Sequence, residues 1–152
     1  MKAPATSTRV SEHSPRETNQ RQAEQMQARL VYYSHQLDRI EQRLGELDQE
    51  WDIERMLQAN AAAVVLVSLL LGLGSRKWRI LPWVVGGFLL QHAIQGWCPP
   101  VEVFRRMGMR TTREIDQERF ALKALRGDFQ DTKADGKDPL EAARQVDDAV
   151  RR

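Results

Sequence analysis

LQANAAAVVLVSLLLGLG (residues 57–74) is followed by SRKWR (75–79) and then by ILPWVVGGFLLQHAIQGW (80–97). Each flanking run is 18 residues of almost unbroken apolar character. At about 1.5 Å of rise per residue, an 18-residue helix reaches roughly 27 Å, close to the ~30 Å hydrocarbon core of a bilayer. The five-residue connection permits only an antiparallel arrangement, so the pattern predicts a transmembrane helical hairpin over 57–98. Trp78 beside the connection, and Trp51 and Trp97 at the far ends, are placed as interfacial anchors. The alternative is a buried hairpin in a soluble protein. It requires more apolar material than the rest of the chain contains, because two helices apolar on every face must be wrapped all round.

The charges confirm the segregation. The chain has 152 residues and a formal net charge of +2. Between Leu57 and Trp97 the only charges are Arg76, Lys77 and Arg79, all in the connection. The N-terminal flank to Met56 carries 8 basic and 10 acidic residues, and the flank from Cys98 onward carries 12 and 11. Neither balance is basic enough to make nucleic acid the partner. The first twenty residues hold no apolar run of the kind a signal peptide needs, so the central segments are expected to direct insertion themselves.

N-terminal to the hairpin, residues 1–13 are polar and aperiodic and are read as a disordered tail. Ser14, Pro15 and Glu17 form a helix-start pattern: a capping hydroxyl, a proline where no backbone donor is needed, and a glutamate able to reach back. A coiled-coil helix is then expected over 14–56. Its seam runs at steps of three and four through Ala23, Met26, Leu30, Tyr33, Leu37, Ile40, Leu44, Leu47 and Trp51. In a parallel dimer this register sets Arg43 against Asp48 and Glu50 against Arg55 of the second copy, both attractive pairs. The simpler alternative is one amphipathic helix whose stripe packs on the chain's own C-terminal region. The acidic run Glu46, Asp48, Glu50, Asp52 and Glu54 spreads around the helix and reads as a solvated face.

On the other side of the hairpin, Pro99 and Pro100 end the second span. Residues 99–127 are expected to form interfacial and amphipathic helices. The first mixes Val103, Phe104, Met107 and Met109 with Arg105, Arg106 and Arg110; the second opens at a capping box, Thr111 to Glu114. A polar linker over 128–137 and a short helix over 138–152, opened by Asp138, Pro139 and Glu141, complete the chain. The fold class is thus an all-α membrane protein: coiled-coil helix, transmembrane hairpin, C-terminal amphipathic helices.

Lysine and arginine near membrane ends favour the cytoplasm. Seven lie outside the hairpin within about twenty residues of it (Arg39, Arg43, Arg55, Arg105, Arg106, Arg110, Arg113), against three in the connection. Carrying five loop residues across is also easier than carrying two charged flanks. Both termini are therefore expected in the cytoplasm, in a multi-pass topology.

Polar groups within a bilayer lack water and need a reason to be there. The hairpin holds Asn60 and Ser68 in its first helix and Gln91, His92 and Gln95 in its second. Folding at Arg76–Lys77 sets Asn60 at the depth of Gln95, and Ser68 at the depth of Gly86 and Gly87, which allow close approach of the backbones. These residues are expected to hold the helices together. The second option is a polar path for a small solute, which two helices cannot enclose without several copies. The single cysteine, Cys98, excludes an internal disulfide and a cysteine-rich metal site. It is either a small apolar residue at a helix end or a thiol for sulfur or redox chemistry. No paired carboxylates, phosphate-cradling loop or metal-ligand cluster appears, so neither a cofactor nor a metal is expected.

The stretch from about Glu54 to Thr112 resembles the two-helix transmembrane domain of YgaP-like bacterial inner-membrane proteins. The resemblance is carried by Glu54-Arg55, the short hairpin, the Gly96-Trp97-Cys98-Pro99 ending and Val103-Phe104-Arg105-Arg106-Met107-Gly108. It implies a bacterial inner membrane and cytoplasmic termini. In that family the domain is sometimes fused to a rhodanese sulfurtransferase and is thought to dimerise in the membrane; this chain has a heptad-patterned helix where the rhodanese would be. The expected function is a non-enzymatic membrane anchor and interaction protein. Its partners are the bilayer, a second copy in a parallel dimer, and another protein through the coiled coil. The alternatives are a sulfur-carrying or redox component using Cys98, and an oligomeric small-solute conductor.

Overall fold

The computed structural model describes residues 8–130 and 139–151; the N-terminal part of the expected tail and most of the expected 128–137 linker lie outside them. Eight α-helices are present among the described residues, and no strand: α1 (Arg9–Glu12), α2 (Arg16–Ser34), α3 (Ile40–Gln49), α4 (Ile53–Gly74), α5 (Leu81–Gln95), α6 (Pro99–Arg106), α7 (Thr112–Arg126) and α8 (Pro139–Arg151). Short 3-10 turns occupy Leu37–Arg39 and Arg76–Ile80. The chain divides into two compact units, one from residues 8–24 and 51–115, the other from 25–50, 116–130 and 139–151.

The first unit is built on α4. Asp52 caps it, its Oδ1 accepting the Arg55 amide at 2.7 Å, while Thr112 Oγ1 donates to Asp52 Oδ2 at 2.6 Å. The Ile53 amide donates to the Arg110 carbonyl. These bonds satisfy donors that a helix start otherwise leaves open. The helix ending at Gly74 is the one among the described residues that is long and apolar enough to cross a membrane, and only 22 % of its apolar window is buried within the protein. Its leucines face outward: Leu66, Leu70 and Leu73 are exposed. Helix α5 returns along α4 through the 3-10 turn, and α6 also packs on α4. At 15 residues α5 is shorter than the expected 80–97 run. Gly96, at φ +74°, stops the helix after Gln95, and the residues before Leu81 are taken up by the turn.

The N-terminal part differs from expectation in three ways. Residues 9–12 are helical, and Val10 belongs to a buried cluster with Ile53, Leu57, Cys98 and Val101. A tail reading missed this because one valine among polar residues has no periodicity. Ser14 does not use its hydroxyl on α2: it donates to the Val10 carbonyl at 2.7 Å and accepts from Arg105 Nε at 3.2 Å. The expected continuous helix over 14–56 is broken twice. Helix α2 ends at Ser34, Gln36 has φ −138° and ψ 63°, and Glu50 and Asp52 are extended. Tyr32, Tyr33, Ser34 and His35 are middling helix formers in a row, and Asp52 favours capping over helix interior. The seam is consequently distributed: Leu30 and Tyr33 in α2, Leu37 in the 3-10 turn, Ile40, Leu44 and Leu47 in α3, and Trp51 between α3 and α4.

In the second unit the α3 stripe is internal. Ile40, Leu44 and Leu47 are buried, as is Leu122 of α7. Glu118, fully buried, accepts Arg29 Nε on Oε2 and Arg43 Nε on Oε1, both at 2.9 Å. Arg119 bridges to Asp48 at 2.9 Å and pairs with Asp116. This is the packing of the stripe on the chain's own C-terminal region. Within the chain, Arg43 pairs with Glu118, Glu46 and Glu50.

Candidate functional site

The hairpin and the segments at its open end hold most of the residues singled out for chemistry, and the structure uses them unevenly. Asn60 is exposed and its Nδ2 donates to the Met56 carbonyl at 2.9 Å, one turn back in its own helix. Ser68 is buried and does the same, donating to Val65 O at 2.8 Å. A Cβ placed at Gly86 or Gly87 would meet nothing within 4 Å, so these glycines do not bring α5 against α4. The close approach is at Gly72, where Arg79 lies 3.2 Å from a Cβ position and its Nε donates to the Gly72 carbonyl at 3.1 Å. Gln91 is half-buried and Gln95 exposed. His92 is the buried polar residue of α5, and both its ring nitrogens lack a hydrogen-bond partner.

Cys98 lies beyond the helix end in the buried cluster, 1 % exposed. Burial pushes its thiol up, and the Val101 amide offsets this only in part. A raised thiol pKa means little thiolate at neutral pH, the opposite of an activated nucleophile. Cys98 also borders an apolar groove of about 130 Å³ with Leu57, Leu89 and Phe104.

Around this cluster runs a polar belt that sequence reasoning did not find. Arg105 is fully buried. Its Nη1 and Nη2 grip Glu114 at 2.6 and 2.9 Å, Nη2 also donates to Asn19 Oδ1 at 2.8 Å, Nη1 to Met109 O at 3.1 Å, and Nε to Ser14. Glu114 closes the belt as a capping box, accepting the Thr111 amide at 2.8 Å while its own amide donates to Thr111 Oγ1 at 3.2 Å. Burial alone raises the Glu114 carboxyl, but the Arg105 hydrogen bonds, the Thr111 amide and the Arg105 charge outweigh it and hold the group below the usual carboxylate range. Arg105 stands four residues after buried Val101, hence on the same helical face. That spacing was the available signal, hidden because a charged residue in a basic amphipathic helix is normally placed in water.

Arg9 makes a second set of polar contacts beside the cluster. Arg9 Nη2 pairs with Glu54 Oε1 at 3.0 Å and Nη1 donates to the Ala93 carbonyl at 3.1 Å. On the outside, Arg55 lies 4.3 Å over the Trp51 ring, a cation–π pair at the start of α4.

Comparison with known proteins places this unit. Residues 52–114 match the family described as inner membrane protein YgaP-like, transmembrane domain. The match begins at the Asp52 cap and ends at Glu114, the residue that Arg105 grips, so it encloses the hairpin, α6 and the start of α7. No curated protein and no solved structure matches the chain. The segment is similar to that transmembrane domain, which makes the chain a membrane protein in contact with a lipid bilayer.

Proposed function

From a YgaP-like transmembrane domain as premise, we propose that this chain is a non-enzymatic inner-membrane anchor and interaction protein. In this reading α4 and α5 both cross the bilayer, and both termini lie in the cytoplasm. The observation that carries it is the distribution of apolar surface: Leu73 is 83 % exposed and Trp83 82 %, on the two helices of a packed hairpin. Such surface is satisfied by hydrocarbon and not by water. Asn60 and Ser68 each bond within their own helix, and Cys98 is held as a buried thiol, which supports the anchor reading.

Interaction then falls to the second unit, whose exposed Val31, Tyr32 and Leu37 offer an apolar contact surface to a partner protein or a second copy. A dimer through the full heptad seam competes with the burial of Ile40, Leu44 and Leu47 inside the chain. Cysteine crosslinking in membranes separates the two. With Cys98 replaced by serine, Leu37→Cys is expected to form symmetric disulfides on association and Leu44→Cys is not. Equal crosslinking at both positions establishes the continuous parallel seam instead. Purification in mild detergent with mass spectrometry reads copy number and partner together. Recovery as a lone monomer at native expression, with no copurifying protein, overturns the interaction role.

A further inference from the structure

Residues 8–14 do more than begin the first unit. Val10 packs into the cluster with Ile53, Leu57, Cys98 and Val101. Arg9 ties the segment to the hairpin twice, at Glu54 and at the Ala93 carbonyl. Gly96 makes the approach possible: a Cβ there would lie 2.5 Å from the Cβ of Arg9, far inside contact distance. The segment lies against the end of α5, next to His92 and Cys98.

This closed arrangement is imperfect in a specific way. Arg9 Nε, His92 Nδ1 and His92 Nε2 are all buried without a hydrogen-bond partner. A buried polar atom left unpaired keeps the cost of leaving water with nothing to offset it. Each of the three would recover its partner from water if the segment lifted. The cover is also slight, a four-residue helix held by one apolar side chain, a partly exposed ion pair and two further hydrogen bonds, Arg9 to the Ala93 carbonyl and Arg105 to Ser14. Ion pairs of that kind contribute little. Few ties and three unmet hydrogen bonds make the segment poised to open.

We propose that residues 8–14 form a displaceable cover over the end of the hairpin, and that its opening brings Cys98 and His92 into contact with water. The cover controls access from the aqueous side only. The apolar groove at Cys98 is a separate approach, open to lipophilic reagents alone.

The test is the labelling rate of Cys98 in the full chain in membranes, using a permanently charged methanethiosulfonate and, in parallel, N-ethylmaleimide. The charged reagent is expected to modify the wild type slowly, and Arg9→Ala and Val10→Ser at least tenfold faster. Gly96→Ala perturbs the same contact from the hairpin side and is expected to accelerate labelling as well. Arg106→Ala, which removes only an exposed pair with Glu102, is expected to leave the rate unchanged. Helicity and melting midpoint are read on the same samples. A wild-type rate equal to that in denaturing detergent overturns the cover, as does a wild-type rate in both Arg9→Ala and Gly96→Ala. Acceleration accompanied by loss of helix also overturns it, because general unfolding then explains the access. Equal acceleration of both reagents points to loosening of the groove and likewise counts against a cover.

Discussion

Leucines point outward along the later turns of α4 and inward along the α3 stripe of the second unit. Leu66, Leu70 and Leu73 are exposed on α4, whereas Leu44, Leu47 and Leu122 are buried in the unit that also buries Glu118. The same side chain is placed oppositely because the surroundings differ: hydrocarbon accepts an apolar helix face, and water does not. The polar groups invert in step. Asn60 and Ser68 fold their hydrogen bonds back onto their own helix, as donors must where no water is available. In the second unit Glu118 is matched by two guanidinium groups. The lesson is that neither burial nor exposure of leucine identifies the core of this chain; the location of the buried paired charges does.

The strongest way to break the comparison is at Arg105, a paired charge that belongs to the hairpin's own unit. Removing one partner of a buried ion pair costs about 3 to 5 kcal/mol, because the other charge is stranded. Arg105→Leu strands Glu114 and also unties Asn19 and Ser14. We expect a loss of about 4 kcal/mol, read from denaturant unfolding in detergent. A loss under about 1 kcal/mol would mean the belt is not what joins α6 to α7. Glu118→Gln is the equivalent change in the second unit. Glutamine keeps the shape and one acceptor but removes the carboxylate that Arg29 pairs with and the buried one of Arg43, which keeps Glu46 and Glu50, and about 3 kcal/mol is expected. Burial lowers the Arg43 pKa, yet the Glu118 and Glu46 hydrogen bonds raise it further, in keeping with a pair that stays charged.

Leu66→Arg probes the outward leucines. A charge at the centre of a transmembrane helix costs about 2.5 to 3.5 kcal/mol on insertion scales. Alkaline extraction of membranes is expected to release a larger fraction of this variant than of the wild type. Unchanged retention would place Leu66 against protein and end the inverted reading of α4.

How far this contrast could be read from sequence depends on what each region used as its signal. The hairpin was legible because it is written in contiguous composition: two uncharged 18-residue runs with three polar residues in each, and the charges gathered at 76–79. The YgaP-like resemblance rested on the same stretch and matched. The heptad stripe was legible as a stripe, but not its partner. Ile40, Leu44 and Leu47 have the spacing that serves a second copy or the chain's own α7, and spacing alone cannot choose. The breaks at Gln36 and Glu50–Asp52 decide against one straight helix, and they arise from local preferences too weak to see against an unbroken period. Arg105, Arg9 and Val10 were illegible for a different reason. Their roles depend on partners 9 to 91 residues away, and nothing local marks a guanidinium as buried.

The pH dependence follows from Glu114 and is smaller. Its carboxyl titrates lower in the folded protein than in the unfolded chain, where a glutamate lies near 4.3. The unfolded state therefore binds the extra proton first, and stability gained from the Arg105 pair is complete above that value. It is lost as pH falls through the depressed folded value. Melting midpoints are expected to be flat from neutrality to about pH 5 and to decline below, with Glu114→Gln removing this part of the decline. A wild-type curve that falls between pH 7 and 5 requires another group.

The smallest effect belongs to the neighbour of the largest. Arg106 follows Arg105 directly, on the same helix and in the same basic pair. Its side chain is 70 % exposed, and its one ion pair, to Glu102 four residues back, is a surface contact. Such pairs contribute about 0 to 1 kcal/mol, and screening brings this one towards the lower end. Arg106→Ala is thus expected to shift stability by less than about 0.5 kcal/mol, against about 4 for Arg105. One position along a helix rotates a side chain by about 100°, which here separates a buried belt from solvent. If the two substitutions behave alike, burial is not what distinguishes them, and the contrast between paired and solvated charge loses its sharpest case.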